Sequence, residues 1–158
     1  MQKITPCLWF DDQAEEAANF YVSTFKNSRI TEVSRHQEHS PMPAGTVMVV
    51  NFVLDGVAFQ ALNGGPAFSF TEAISLSVDT ATQEETDELW ERLTADGGQP
   101  SQCGWLKDKY GVSWQIVPSV LGQLLSDPDP EKAGRVMQAM LKMTKIEIAE
   151  LRAAYDAA

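Results

Sequence analysis

The strongest constraint on this chain is that it resembles itself. Residues 56–60 read Gly-Val-Ala-Phe-Gln and residues 111–115 read Gly-Val-Ser-Trp-Gln, each followed by an apolar pair, Ala61-Leu62 and Ile116-Val117. Upstream, Leu8-Trp9-Phe10-Asp11 is matched by Leu76-Ser77-Val78-Asp79. Each then leads into an acidic helix start, Ala14-Glu15-Glu16 or Gln83-Glu84-Glu85. The offset is 68 at the first strand, about 69 at the helix and 55 at the late strand, so the first copy carries roughly fourteen extra residues in its middle. The segment from Gln37 to Gly45, with Pro41 and Pro43, is the place for some of them. Self-similarity at this period points to a duplicated supersecondary unit.

Both copies share one order of elements. In the first, an alternating strand spans Ile4 to Phe10 and a helix about 13–25, with Asp12 and Glu15 placed as a capping box. Strands follow at Arg29–Arg35, Val47–Leu54 and Val57–Leu62, and Asp55-Gly56 between the last two predicts a hairpin. In the second, the strand is Ala73–Val78, Thr82-x-x-Glu85 caps a helix ending near Gly97-Gly98, and strands run over Cys103–Asp108 and Val112–Val117. After Pro118 only helical patterning remains. It covers Val120–Leu125, a helix opened by Asp129-Pro130-Glu131 and reaching about Met143, and a last helix started by Thr144-x-x-Glu147. Val136, Met137, Met140 and Leu141, then Ile148, Leu151 and Tyr155, give these helices one apolar face each. The expected organisation is α+β: paired βαβββ modules over 1–118 (about 1–65 and 70–118), forming a curved mixed sheet around a cleft, with a helical extension over 119–158.

Charge and patterning exclude several classes. Twelve basic against 22 acidic residues leave a net charge of −10, and no basic stripe offsets it, so a nucleic-acid partner is not expected. The longest apolar runs are short, as at Val47–Val50, which predicts no membrane span. Met1-Gln2-Lys3-Ile4 runs straight into strand patterning with no signal-peptide core. Cys7 and Cys103 read as free thiols of a reducing cytoplasm.

Alternation along the strands separates two faces. Ile4, Leu8 and Phe10 are expected to face the first helix, and Thr5, Cys7 and Trp9 the opposite way. Ile74, Leu76 and Val78 face the second helix, and Ala73, Ser75 and Ser77 the opposite way. If Phe59 and Trp114 pack under the helices, Gln60 and Gln115 project into the cleft.

At this point the sequence resembles the vicinal oxygen chelate superfamily, the glyoxalase/bleomycin-resistance/dioxygenase group, and within it a PhnB-like branch often labelled 3-demethylubiquinone-9 3-methyltransferase. The resemblance rests on Pro6-Cys7-Leu8-Trp9-Phe10-Asp11, Ala17-Ala18-Asn19-Phe20-Tyr21, Leu62-Asn63-Gly64-Gly65-Pro66 and the run from Gln102 to Ile116, and it spans about residues 3–118. Methyl transfer from S-adenosylmethionine generally uses a doubly wound sheet with a glycine-rich turn. No Gly-x-Gly-x-x-Gly occurs here, and the repeat has another order. The resemblance implies a divalent metal held by four side chains, which map onto Thr5, Ala73, Gln60 and Gln115. That set lacks His, Cys and carboxylate, so no metal and no other cofactor is expected.

The remaining chemistry-bearing residues each have a bland reading and a functional one. Cys7 is a nucleophile candidate on the cleft face, and Cys103 has no adjacent base; both read first as small apolar residues. His36 and His39 are spaced like half a metal site but have no second pair, and read first as loop histidines. Trp9 either stacks on a planar ligand or fills the cleft. Asp11-Asp12, Glu15-Glu16 and Glu84-Glu85 read as solvated helix-start charges. The expected function is small-molecule binding in a cleft lined by Cys7, Trp9, Gln60, Ser75, Ser77 and Gln115. The alternatives are a lyase, isomerase or dioxygenase with a non-standard metal site, and a non-catalytic interaction protein. A homodimer is expected on family grounds, with the helical tail as a contributor, and neither nucleic acid nor a membrane is expected as a partner.

Overall fold

The computed structural model describes residues 2–157; Met1 and Ala158, the outer ends of the expected ranges, lie outside the described residues. The chain divides into two compact units, Met1–Phe70 and Thr71–Ala158.

The first unit runs β1 (Cys7–Phe10), α1 (Ala14–Thr24), β2 (Arg29–Arg35), β3 (Val47–Leu54) and β4 (Val57–Asn63), in the sheet order β1-β4-β3-β2. β1 pairs with β4 in parallel, and the other pairs are antiparallel. The predicted hairpin is present. Asp55 and Gly56 both take positive φ, 45° and 82°, the combination whose twist suits a two-residue connection. One face is a core of Leu8, Phe10, Val50, Phe52, Leu54, Phe59 and Ala61. Against it α1 lays Ala14, Ala17, Ala18 and Tyr21, all fully buried. Three small residues on one stripe let the helix approach closely, and the Tyr21 ring then stacks over Phe52 with centroids 6.3 Å apart.

The start of α1 differs from expectation. Gln13 occupies the cap position without a side-chain bond, and Asp12 does not cap. Instead Asn63, the last residue of β4, accepts the Ala14 N–H at its Oδ1 (2.8 Å) and donates from Nδ2 to the Val47 carbonyl (3.1 Å). A helix terminus needs some acceptor for its free N–H groups, and here a distant strand supplies it.

The second unit repeats the order: β5 (Ser75–Thr80), α2 (Gln83–Thr94), a short 3-10 turn (Ala95–Gly97), β6 (Gln99–Pro100), β7 (Trp105–Lys107) and β8 (Ser113–Pro118). Its sheet order is β5-β8-β7-β6, again with the first and last strands parallel. Thr82 caps α2 as predicted, accepting the Glu85 N–H at 3.1 Å. β6 is only two residues long and carries no alternating pattern, so nothing in the sequence announced it. The turn between β7 and β8 is organised by Asp108, a buried carboxylate only 2% exposed. Its Oδ1 accepts from the N–H groups of Tyr110 (2.9 Å) and Val112 (3.1 Å), and its Oδ2 from the Trp114 indole (2.9 Å).

Three helices complete this unit: α3 (Ser119–Leu125), α4 (Pro130–Met140) and α5 (Ile148–Asp156). Asp129 caps α4 with proline at its first position, as the sequence indicates. Leu121, Leu124, Val136, Met143, Ile146 and Leu151 form their own buried cluster. The segment before α5 is bound to the turn ahead of β7. Cys103 and Gly104 donate their N–H groups to the carbonyls of Met143 and Thr144, each at 2.8 Å. That hold explains a correction: α5 begins at Ile148, not after Thr144, and its first N–H goes to Gln83 Oε1 at 2.7 Å.

Ile4 and Ile74 also depart from expectation. Both lie ahead of their strands, and they are 86% and 76% exposed rather than packed under helices. In the tail, Met137 and Leu141 belong to the predicted apolar face yet are exposed. Among the described residues, no helix is long and apolar enough to cross a membrane.

Replacing Asn63 by Ala removes the acceptor for the first N–H of α1. Stability measured by urea denaturation should fall by about 1–2 kcal/mol, with faster amide exchange confined to the first turn of α1 and the end of β4.

Candidate functional site

In each unit, the sheet face opposite its helix carries the polar residues singled out from the sequence. Strand alternation places them there. Phe59 and Trp114 are buried on the helix side, and their neighbours Gln60 and Gln115 turn the other way, half-buried.

In the first unit Cys7 and Gln60 are direct partners across β1 and β4, and Asn51 of β3 is the partner of Gln60 on its other side. The three side chains therefore share one face. Asn51 Oδ1 is buried and has no hydrogen-bond partner. The Cys7 residue is exposed, yet partial desolvation of the thiol pushes its pKa upward. At neutral pH it is a thiol rather than a thiolate, which is the wrong state for a nucleophile. Trp9 lies on the same face but is committed locally. Its indole N–H donates to the Gly65 carbonyl at 2.9 Å, and its ring meets Phe68 edge-on with centroids 4.9 Å apart. Gly64 lies directly beneath it, where an added Cβ would fall 2.3 Å from Trp9 Cε2.

In the second unit Gln115 Nε2 donates to Ser75 Oγ at 2.9 Å, while Ser77, the direct partner of Gln115, is exposed. Ser113 stands two residues before Gln115 on that face, 2% exposed, and its Oγ has no hydrogen-bond partner. A cavity of about 190 Å³ reaches Ser113, lined also by Trp105, Lys107 and Glu72, and a salt bridge joins Lys107 to Glu72.

The positions mapped for a metal do not fit one. The first unit offers the Thr5 hydroxyl and the Gln60 amide; the second offers the Ala73 methyl and a Gln115 amide already bonded to Ser75. Neutral amides supply no charge to a divalent ion, and zinc or iron calls for imidazole, thiolate or carboxylate. Among the described residues, no three His, Cys, Asp or Glu side chains are grouped to hold an ion.

The histidines separate. His36 is half-buried with Nδ1 2.5 Å from Ser40 Oγ, while His39 is exposed. His36 borders a cavity of about 770 Å³ in the first unit, together with Asp11, Asp12, Glu15 and Glu16. Read along the sequence, those carboxylates are solvated helix-start charges. The fold gathers them around one hollow because the start of α1 and the loop after β2 meet there. Asn51 and Ser113 were also missed. Asn51 carried a signal, being the one polar residue within the apolar run Val47–Leu54.

A family model described as 3-demethylubiquinone-9 3-methyltransferase matches residues 2–117. No curated protein matches the chain. Among solved structures, the PhnB protein from Bacillus cereus is 40% identical, with a TM-score of 0.69 over 75% of this chain and 100% of its own. Protein PA1353 from Pseudomonas aeruginosa is 21% identical, with a TM-score of 0.61 over 75% of this chain and 98% of its own. The fosfomycin resistance protein FosX from Listeria monocytogenes is 15% identical, with a TM-score of 0.57 over 80% of this chain and 98% of its own. The last two are likenesses of fold.

Gly64→Ala should force the Trp9 ring away and break its bond to Gly65. We expect a shift in tryptophan emission and a loss of about 1–3 kcal/mol in thermal or urea unfolding. Alkylation of Cys7 by iodoacetamide should be slower at pH 7.5 than that of an unhindered cysteine. Its rate should rise with pH through a midpoint above the ordinary thiol value.

Proposed function

The chain belongs to the 3-demethylubiquinone-9 3-methyltransferase (PhnB-like) family, and from that premise we propose that it binds a small polar molecule on its open sheet faces without a bound metal. One observation carries this reading: Asn51 Oδ1 and Ser113 Oγ are buried polar atoms with no partner, one on each open face. Each such atom costs roughly 1–3 kcal/mol unless something bonds to it. A ligand with hydrogen-bonding groups would recover that cost. Within the first unit the contacts to such a ligand would come from Cys7, Trp9 and Gln60, and within the second unit from Ser75, Ser77 and Gln115.

The reading leaves out methyl transfer despite the family's description. Two mixed four-stranded sheets and no Gly-x-Gly-x-x-Gly turn offer no doubly wound crevice of the kind that binds nucleotide cofactors. A second reading, a lyase or isomerase, draws on the cavity lined by His36 and four carboxylates, since those groups can donate and accept protons.

The same reading takes the protein to act as a homodimer in a reducing cytoplasm. The exposed Met137 on α4 and Leu141 just after it support a contact between copies, and two unpaired cysteines support the compartment.

Elemental analysis of purified protein should find no stoichiometric divalent ion, and a chelator should leave the melting temperature unchanged. A stoichiometric ion lost together with stability would overturn the metal-free reading. A thermal-shift screen of small polar molecules should yield stabilisers whose effect is lost in Gln60→Ala or Gln115→Ala. Exchanging Met137 and Leu141 for Glu should convert dimers to monomers in light scattering; an unchanged dimer removes α4 from the contact.

A further inference from the structure

The small cavity of the second unit shares Ser113 with the reading just given and in that respect rests on it, although none of its lining residues is among the six contact residues named there. Its volume is about 190 Å³, so it is a site for a small molecule. Lys107 and Ser113 are direct partners across β7 and β8, so the ammonium and the hydroxyl rise from one point of one face. Ser113 is 2% exposed and its hydroxyl is unpartnered. Trp105, two residues before Lys107 on the same strand, adds an apolar wall.

Glu72 already shows what this arrangement accepts. Its carboxylate sits on the Lys107 ammonium, but Glu72 lies in the turn before β5 and its side chain is 60% exposed, whereas Lys107 is anchored in a strand. Of the two partners, Glu72 is therefore the one that can leave. Its departure would free a cation beside a hydroxyl that has no other bond to make.

We propose that this cavity is a carboxylate-binding site for a small monoanionic acid, in which Lys107 and Ser113 take the ligand's carboxylate and Glu72 is a displaceable internal occupant. The site's single ammonium matches one negative charge. A phosphate dianion would retain an uncompensated charge in a chain whose net charge is already −10. The small volume, about 190 Å³, favours a short-chain acid.

The test is a chemical-shift titration of the full-length protein with acetate, propionate and lactate, read at the Trp105 indole. Acetamide serves as the neutral isostere and inorganic phosphate as the dianion. The acids should bind and acetamide should not. Lys107→Met should weaken binding at least tenfold. Ser113→Ala should weaken it three- to tenfold while leaving the melting temperature unchanged or higher, because an unsatisfied hydroxyl is removed. Glu72→Gln should tighten binding three- to tenfold, an effect that a merely structural ion pair would not produce. Gln115→Ala should have no effect, which separates this site from the surface proposed above. Four results would overturn the proposal: no acid binding to either wild type or Glu72→Gln, unchanged affinity in Lys107→Met, weaker binding in Glu72→Gln, or phosphate binding more tightly than the acids.

Discussion

Each unit is closed by a parallel pairing between its first and last strands. β1 lies beside β4 and β5 beside β8, although two further strands intervene along the chain. Pairing elements that far apart in sequence carries a loop-closure cost, which the buried face must offset. In the first unit the Tyr21, Phe52 and Phe59 rings stack in succession beneath that closure. In the second, Trp114 is held by the buried Asp108 that also shapes the preceding turn. The side opposite each helix carries the polar residues Gln60 and Asn51 in the first unit and Ser113 and Gln115 in the second, among valines such as Val49 and Val117.

The pairing also refines the internal repeat. Along the sequence, Leu8 aligns with Leu76 at an offset of 68. In space Cys7 faces Gln60 and Ser77 faces Gln115, which makes Cys7 and Ser77 equivalent at an offset of 70. The two-residue difference is even, and strand side chains alternate with a period of two. No residue of the strands therefore changes face. Cys7 and Ser77 stay on the face of Gln60 and Gln115 at either offset.

Local chemistry was readable and tertiary chemistry was not. The Asp55-Gly56 turn, the Thr82 cap and the Asp129-Pro130 start each depend on neighbouring residues, and each is where the sequence places it. The starts of α1 and α5 are capped by Asn63 and Gln83, which lie 49 and 65 residues away along the chain. No window of neighbouring residues contains such a bond. Ile4 and Ile74 were assigned to buried faces by extending an alternation past the end of its strand. At the candidate sites, the sheet faces followed from parity. The grouping of Lys107, Glu72 and Ser113 required knowing that a turn ahead of β5 folds back over β7.

The bonds from Cys103 and Gly104 to the segment ahead of α5, with that of Gln83 to its first amide, have a consequence for how this architecture can change. A duplicated gene begins with interchangeable copies. Once an appendage is stitched to one of them through main-chain donors and acceptors, exchanging the copies or trimming the appendage would strand several amides and carbonyls at once. Divergence between the halves then becomes difficult to reverse, and the helical addition is inherited as part of the second copy.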